Sequence, residues 1–230
     1  MVSFAWSYPK TVTQSSLIGH WTMDQISGTT VQDSSGKGGT GTTAGSPSAI
    51  TGLFGTALKF NGSNNRISCV HKSAQDLAGG GTVSAWIRPV AYPDGITTFV
   101  FCIVDKDLDH GFGWRFSIDT NGNLNAQASQ DKAISSSVIK KGIWTFVSCT
   151  FAASGNALVI NYINGKQDGT LAGNSGMSGT NTSLVLMIGA NTDDAEMFFK
   201  GDIDDVRLYS RVLSPAEIFQ LYASGKRNHP

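Results

Sequence analysis

No long stretch before residue 214 carries its apolar residues at helical spacing. The chain instead alternates short apolar runs with turns rich in Gly, Asn, Asp and Ser, a pattern that restricts it to strands. The clearest run, Thr82 to Pro89, assigns Val83, Ala85 and Ile87 to one face and Ser84, Trp86 and Arg88 to the other. Phe99 to Val104 is almost continuously apolar and reads as a central strand. Asn121-Gly122 joins Trp114–Ile118 to Leu124–Ala128, and Asn164-Gly165 joins Ala157–Ile163 to Lys166–Thr170; both are hairpin signals. Leu17–Thr22, Ala57–Asn61, Arg66–Val70, Trp144–Phe151 and Leu184–Ile188 are further strands. The Asp33-Ser34-Ser35-Gly36 turn leads into a Gly/Thr-rich loop that reaches about Pro47. About a dozen strands without a propeller-length repeat predict an all-β fold. Its form is a two-sheet antiparallel jelly-roll β-sandwich with one short C-terminal helix.

That helix and the strand before it form one block, Phe198 to Tyr222. Ile203 and Val206 stand three apart, so strand alternation holds only if a bulge falls near Asp204. Ser214, Pro215 and Glu217 form a capping box around a proline at the first helical position. Ile218, Leu221 and Tyr222 then supply an apolar stripe. The expected organisation is an N-terminal arm over residues 1–16, the sandwich over 17–224 and a tail over 225–230. The arm carries Phe4, Trp6 and Tyr8, whose exposure to water is unfavourable, so it is expected to dock on a second subunit or a larger assembly.

Formal net charge is zero and the pI is about 6.9, and no basic cluster exceeds Lys140-Lys141 and Lys226-Arg227, which argues against nucleic acid as a partner. No apolar run is long enough for a helical membrane span, and the N-terminus lacks the basic and apolar regions of a secretory signal. Cys69, Cys102 and Cys149 lie in apolar strand contexts and match no zinc or redox spacing, so they read as buried free thiols.

Seven segments, in order, resemble the concanavalin A-like lectin/glucanase superfamily in its laminin-G-like jelly-roll branch. They are LIGHWTMDQISGTTVQDSSGKG, GLFGTALKFNGSNNRISC, GGTVSAWIRP, GIWTFVSCTF, ALVINYINGKQDG, LMIGAN and FKGDIDDVRLYSRVLSPAEIFQLY, together covering about residues 17–222. The resemblance implies two stacked sheets, binding of glycans or proteins at a sheet face or loop rim, and a structural calcium ion. Carried onto this chain, the calcium ligands are Asp33 and Asp204, with Asp24 and Asp205 as helpers and carbonyls near Gly36 to Gly39. Here the loop after the turn reads GKGGTG, where similar proteins have an Asn-rich loop. The competing reading is that Asp33 caps its own turn and Asp204 accepts backbone N–H groups at the bulge. Trp21, Trp86 and Trp144 match core positions of the family.

A glycosidase needs two carboxylates across the scissile bond. The chain has only two Glu residues: Glu217 belongs to the capping box, and Glu196 stands alone in a loop. No GxSxG elbow or phosphate-binding loop occurs. The sequence therefore reads as a non-enzyme, with glycoside hydrolase as a minor alternative. Aromatic rings that stack on sugars are expected at Trp114, Tyr92, Phe112 and Tyr162. Asp105, Asp107 and Asp109 with His110 read as a solvated hairpin tip. Two functions fit: a glycan- or protein-binding adhesion module, and a structural phage virion protein (a capsid decoration, head-fibre or tail subunit) attached through residues 1–16. Both place the protein on a virion or extracellular surface.

Overall fold

The computed structural model describes residues 12–96, 100–108, 112–128, 131–153, 158–172, 184–192 and 197–226. Residues 1–11, which carry the aromatics of the arm, lie outside them. In chain order the strands are β1 (Leu17–Trp21), β2 (Ile26–Ser27), β3 (Thr30–Val31), β4 (Gly41–Ala44), β5 (Ser48–Thr51) and β6 (Thr56–Asn61). There follow β7 (Arg66–Cys69), β8 (Gly81–Pro89), β9 (Val100–Leu108), β10 (Phe112–Asp119), β11 (Asn123–Ala128) and β12 (Asp131–Val138). The last are β13 (Thr145–Phe151), β14 (Leu158–Ile163), β15 (Lys166–Ala172), β16 (Leu186–Ile188) and β17 (Lys200–Tyr209). One sheet runs β15-β14-β13-β8-β17-β6-β5, with β1 paired to the far half of β17; the other runs β12-β11-β10-β9-β16-β7-β4-β3-β2. The two sheets form the expected antiparallel sandwich.

The first sheet sends Val83, Ala85 and Ile87 of β8 and Ile203 of β17 into the space between the sheets. The second sends Trp114, Phe116 and Ile118 of β10 to meet them. Strand alternation alone dictates this, since every second side chain faces the partner sheet. The three thiols are buried and unbridged. At the centre of β17 the pairing to β8 slips between Asp204 and Arg207, and Asp205 takes φ 51. That is the expected bulge, and it restores Val206 and Leu208 to the core.

The C-terminal helix, Pro215–Lys226, lies on the outer face of the first sheet. Ser214 and Glu217 bond reciprocally, and Glu217 also binds Arg211, which holds its carboxyl down at about pKa 2. Ile218, Leu221 and Tyr222 pack on Trp86, Phe146 and Tyr162 of that face. Burying an aliphatic side chain such as Ile218 contributes roughly 1.5–3 kcal/mol, enough to seat so short a helix.

Five strands lie outside the sequence-based expectation: β2, β3, β4, β5 and β12. β4, β5 and β12 are rich in Ser, Thr and Ala, and their ladders to neighbouring strands, not a clear hydrophobic face, define them. The central strand β9 also runs further than its apolar core, through Asp105 and Asp107 to Leu108.

Candidate functional site

Much of the outer face of the first sheet is covered by the helix. Beyond the helix, register places one polar row across four strands. Lys59 of β6 and Arg88 of β8 flank Asp202 of β17 on either side, and Ser48 of β5 pairs with Lys59. Trp144 stands just before β13, whose ladder with β8 begins at Thr145 and Ile87, so it lies beside Arg88. Gly201, at φ 148, makes this tight pairing possible. A Cβ there would lie 2.4 Å from the Arg88 carbonyl oxygen, so a side chain would force β17 off β8 beside the site.

Within the row, the Arg88 Nε–H donates to Asp202 Oδ2 at 2.7 Å. The Arg88 guanidinium also lies 5.1 Å from the centre of the Trp144 ring. Asp202 is buried to 3 % exposure, and its second oxygen, Oδ1, has no hydrogen-bond partner. The row floors an open depression of about 470 Å³, walled by Ile50, Thr51, Lys59, Arg88, Val90 and Asp202. A buried carboxylate oxygen left without a donor is destabilised by about 1–3 kcal/mol or more, unless a ligand or water supplies one. The arrangement offers an acceptor (Asp202), two cationic donors (Arg88 and Lys59) and an indole that is only half-buried.

The expected ring platforms lie elsewhere. Trp114 is fully buried between the sheets, and its indole N–H donates to the Gln75 carbonyl at 2.9 Å. Inward alternation on β10 makes it a core residue, so it offers no surface to a sugar. Tyr162 is equally buried, beneath the C-terminal helix. Tyr92 is half-buried; its hydroxyl donates to the Ile139 carbonyl and its ring lies under the Lys141 ammonium, 4.2 Å away. Phe112 begins β10, and its side chain is outside the described residues. Conversely Trp144, expected in the core, is half-exposed, whereas Trp21 and Trp86 are core as expected.

The four carboxylates expected around calcium serve separate protein donors. Asp33 receives backbone N–H groups from His20, Ser35, Gly38 and Gly39 together with the Ser35 hydroxyl. Burial pushes its carboxyl up, but these donors outweigh burial and hold it below the usual carboxylate range. Asp24 accepts from the Thr56 N–H, and Asp205 binds the His20 ring and Arg207. Asp204 accepts the Leu53 and Phe54 N–H groups through Oδ2. Burial raises the Asp204 carboxyl to about 7; those two N–H donors oppose this, and the nearby charges of Asp205 and Asp24 reinforce it. Among the described residues no three His, Cys, Asp or Glu side chains gather around one point. As arranged, Asp33 caps its turn and Asp204 clasps the bulge.

Asp105 and Asp107 are not a solvated tip. Both are fully buried on β9, where Arg115 of β10 binds Asp105 at 2.9 Å and approaches Asp107 at 3.6 Å. Burial pushes the Asp105 carboxyl up to about 6 against the pull of Arg115. Lys106, on the opposite face of β9, binds Asp76 instead. Asp109 and His110 lie outside the described residues.

The profile of the concanavalin A-like lectin/glucanases superfamily, in its laminin-G type, matches residues 61–219. The chain belongs to that superfamily. Among solved structures it is similar to the binding domain of Paraclostridial Mosquitocidal Protein 1, with TM-score 0.70 and 19% identity over 93% of this chain and 53% of that one. It is also similar to domain 4 of AbnA, a GH43 extracellular arabinanase from Geobacillus stearothermophilus, in complex with arabinotriose. There the TM-score is 0.68 and the identity 23%, over 90% of this chain and 98% of that one. A third is botulinum neurotoxin type C, whose cell entry depends on two ganglioside molecules, with TM-score 0.70 and 18% identity over 93% and 52% of the two chains. The chain spans about half the length of these toxin chains. At such identities the likeness establishes the fold.

Proposed function

We propose that the protein is a non-catalytic carbohydrate-binding module that holds a glycan in the depression lined by Lys59, Asp202 and Arg88, with Trp144 beside Arg88 at its edge. The observation that carries this is Asp202, a buried carboxylate with one oxygen, Oδ1, left without a partner, which lines an open depression together with Arg88 and Lys59. A sugar hydroxyl is a donor of the right kind for that oxygen, and a pyranose or furanose ring presents apolar C–H faces to an indole edge. The similar AbnA domain was solved with arabinotriose, and the similar neurotoxin type C depends on gangliosides, which supports the class of ligand. The row does not resemble a glycosidase pair, because it holds a single carboxylate, whereas hydrolysis needs two across the scissile bond. Glycan-array screening followed by calorimetry tests the reading. Asp202→Asn, which loses the charge-assisted bond, is expected to weaken binding tenfold or more. A silent array, or an Asp202→Asn variant that binds like the wild type, sinks it.

A structural calcium ion is a separate proposal. Its support is Asp204 Oδ1, a buried oxygen without a hydrogen-bond partner, close to the charges of Asp205 and Asp24. An ion bound there raises the melting midpoint in excess calcium and loses that gain in EDTA by mass action. Superimposable melting curves in the two buffers remove the ion from the account.

A further inference from the structure

A second open depression, of about 200 Å³, lies beside the first. Leu53, Trp86, Trp144, Asn164, Tyr222 and Lys226 line it. What separates the two is a single stacked pair: Arg88 walls the larger depression, Trp144 walls the smaller, and the guanidinium lies over the indole. The second depression is the more aromatic of the two. Trp86 and Tyr222 stack with centroids 5.9 Å apart and planes 28° apart, which gives an aromatic wall, and Asn164 and Lys226 stand beside it as polar groups. The Arg88–Trp144 ridge is already ordered: Arg88 is tethered to Asp202, and the sheet register fixes both ends, so a ligand crossing it meets a surface that needs little further ordering. The larger depression alone is in the volume range of a drug-sized ligand, more than one sugar ring requires.

We infer that the ligand is an extended oligosaccharide of three or more units, with one unit bonded to Asp202 in the larger depression, the next over the Arg88–Trp144 ridge and a third in the Trp86–Tyr222 depression. The glycan is therefore held along its length instead of by its terminal unit. This rests on the glycan reading given above and adds the ridge and the second depression as subsites. Each has a residue that can be changed outside the core: Trp144 is half-buried, and Lys226 is exposed at the end of the helix.

The test is calorimetric titration of the whole chain with xylo-, cello-, malto- and arabino-oligosaccharides of one to five units. In the series that binds, the dissociation constant is expected to fall at least tenfold from one unit to three. Trp144→Ala is expected to erase that gain and Lys226→Ala to reduce it, with thermal melting used to confirm that both variants fold. Trp144→Phe keeps a ring on the ridge and is expected to retain part of the gain if the alanine variant does not fold. Asp202→Asn is expected to weaken all lengths alike. Affinity that depends on Asp202 but is the same for one unit as for five overturns the extended-chain proposal and leaves the glycan reading standing. A gain with length that survives both Trp144 variants and Lys226→Ala also overturns it. Absence of binding at every length, together with a silent glycan array, overturns the glycan reading and this proposal with it.

Discussion

Replacement of Arg115 by alanine is expected to destabilise the fold by about 3–5 kcal/mol, the range for removing one partner of a buried ion pair. The loss is large because of what stays behind. Asp105 and Asp107 project from the same face of β9 and are both fully buried, and among the described residues the Arg115 guanidinium faces them both. Lys106 cannot substitute, because it lies between them in sequence, points to the other face, and is bound to Asp76. Against a total stability of about 5–15 kcal/mol for a domain, such a loss brings the variant close to unfolding at ordinary temperature. Urea unfolding followed by tryptophan fluorescence measures it. Neutralising the acids in the same chain, as Asp105→Asn/Asp107→Asn/Arg115→Met, is expected to recover a large part of the loss, since the penalty is for uncompensated charge. An Arg115→Ala midpoint indistinguishable from that of the wild type contradicts this account.

The residue before it predicts a different signature. Trp114→Ala is expected to cost about 3–5 kcal/mol of stability, as aromatic truncations in packed cores do, and to leave glycan affinity unchanged in whatever fraction folds. The ring is fully buried against Phe151, its centroid 5.9 Å from that of the phenyl, and its N–H is used by the Gln75 carbonyl. Truncation therefore opens a cavity and orphans an acceptor at once. Trp144→Ala is the mirror case, with an expected small effect on melting and a large effect on binding. Measuring melting and calorimetry side by side on the two variants separates a core tryptophan from a ligand-facing one. The assignments are reversed if Trp114→Ala changes affinity at constant stability.

These two tryptophans show how far the chain could be read before folding. Both lie in strand-like stretches with a turn close by, and local pattern does not say which side of a sheet will be closed. Trp114 shares the inward phase of Phe116 and Ile118. That phase was visible in the sequence, but strand ends are also where binding residues gather. Trp144 precedes its strand, and its exposure depends on where the C-terminal helix stops covering the sheet. Asp105 and Asp107 were misplaced for a related reason: alternating acids next to an apolar run look like the solvated end of a hairpin unless the cation that neutralises them is known. That cation is ten residues away in sequence and directly opposite in the ladder.

Local sequence pattern sets whatever depends on near neighbours. Alternation in Thr82 to Pro89 sets which side chains face inward, the three-residue step from Ile203 to Val206 demands the bulge, and Ser214, Pro215 and Glu217 start the helix. The apolar contexts of the cysteines put the thiols in the core. Repeated seven times in family order, such local signals are enough to specify an antiparallel sandwich. The candidate site emerges from folding alone, because it is a matter of register. Arg88 and Asp202 are 114 residues apart and meet because β17 inserts between β8 and β6, which also brings Lys59 to the other side of the same carboxylate. A shift of one residue in that pairing turns every one of these side chains to the opposite face. No stretch of sequence contains that information, since it is set by the summed burial of two whole sheets.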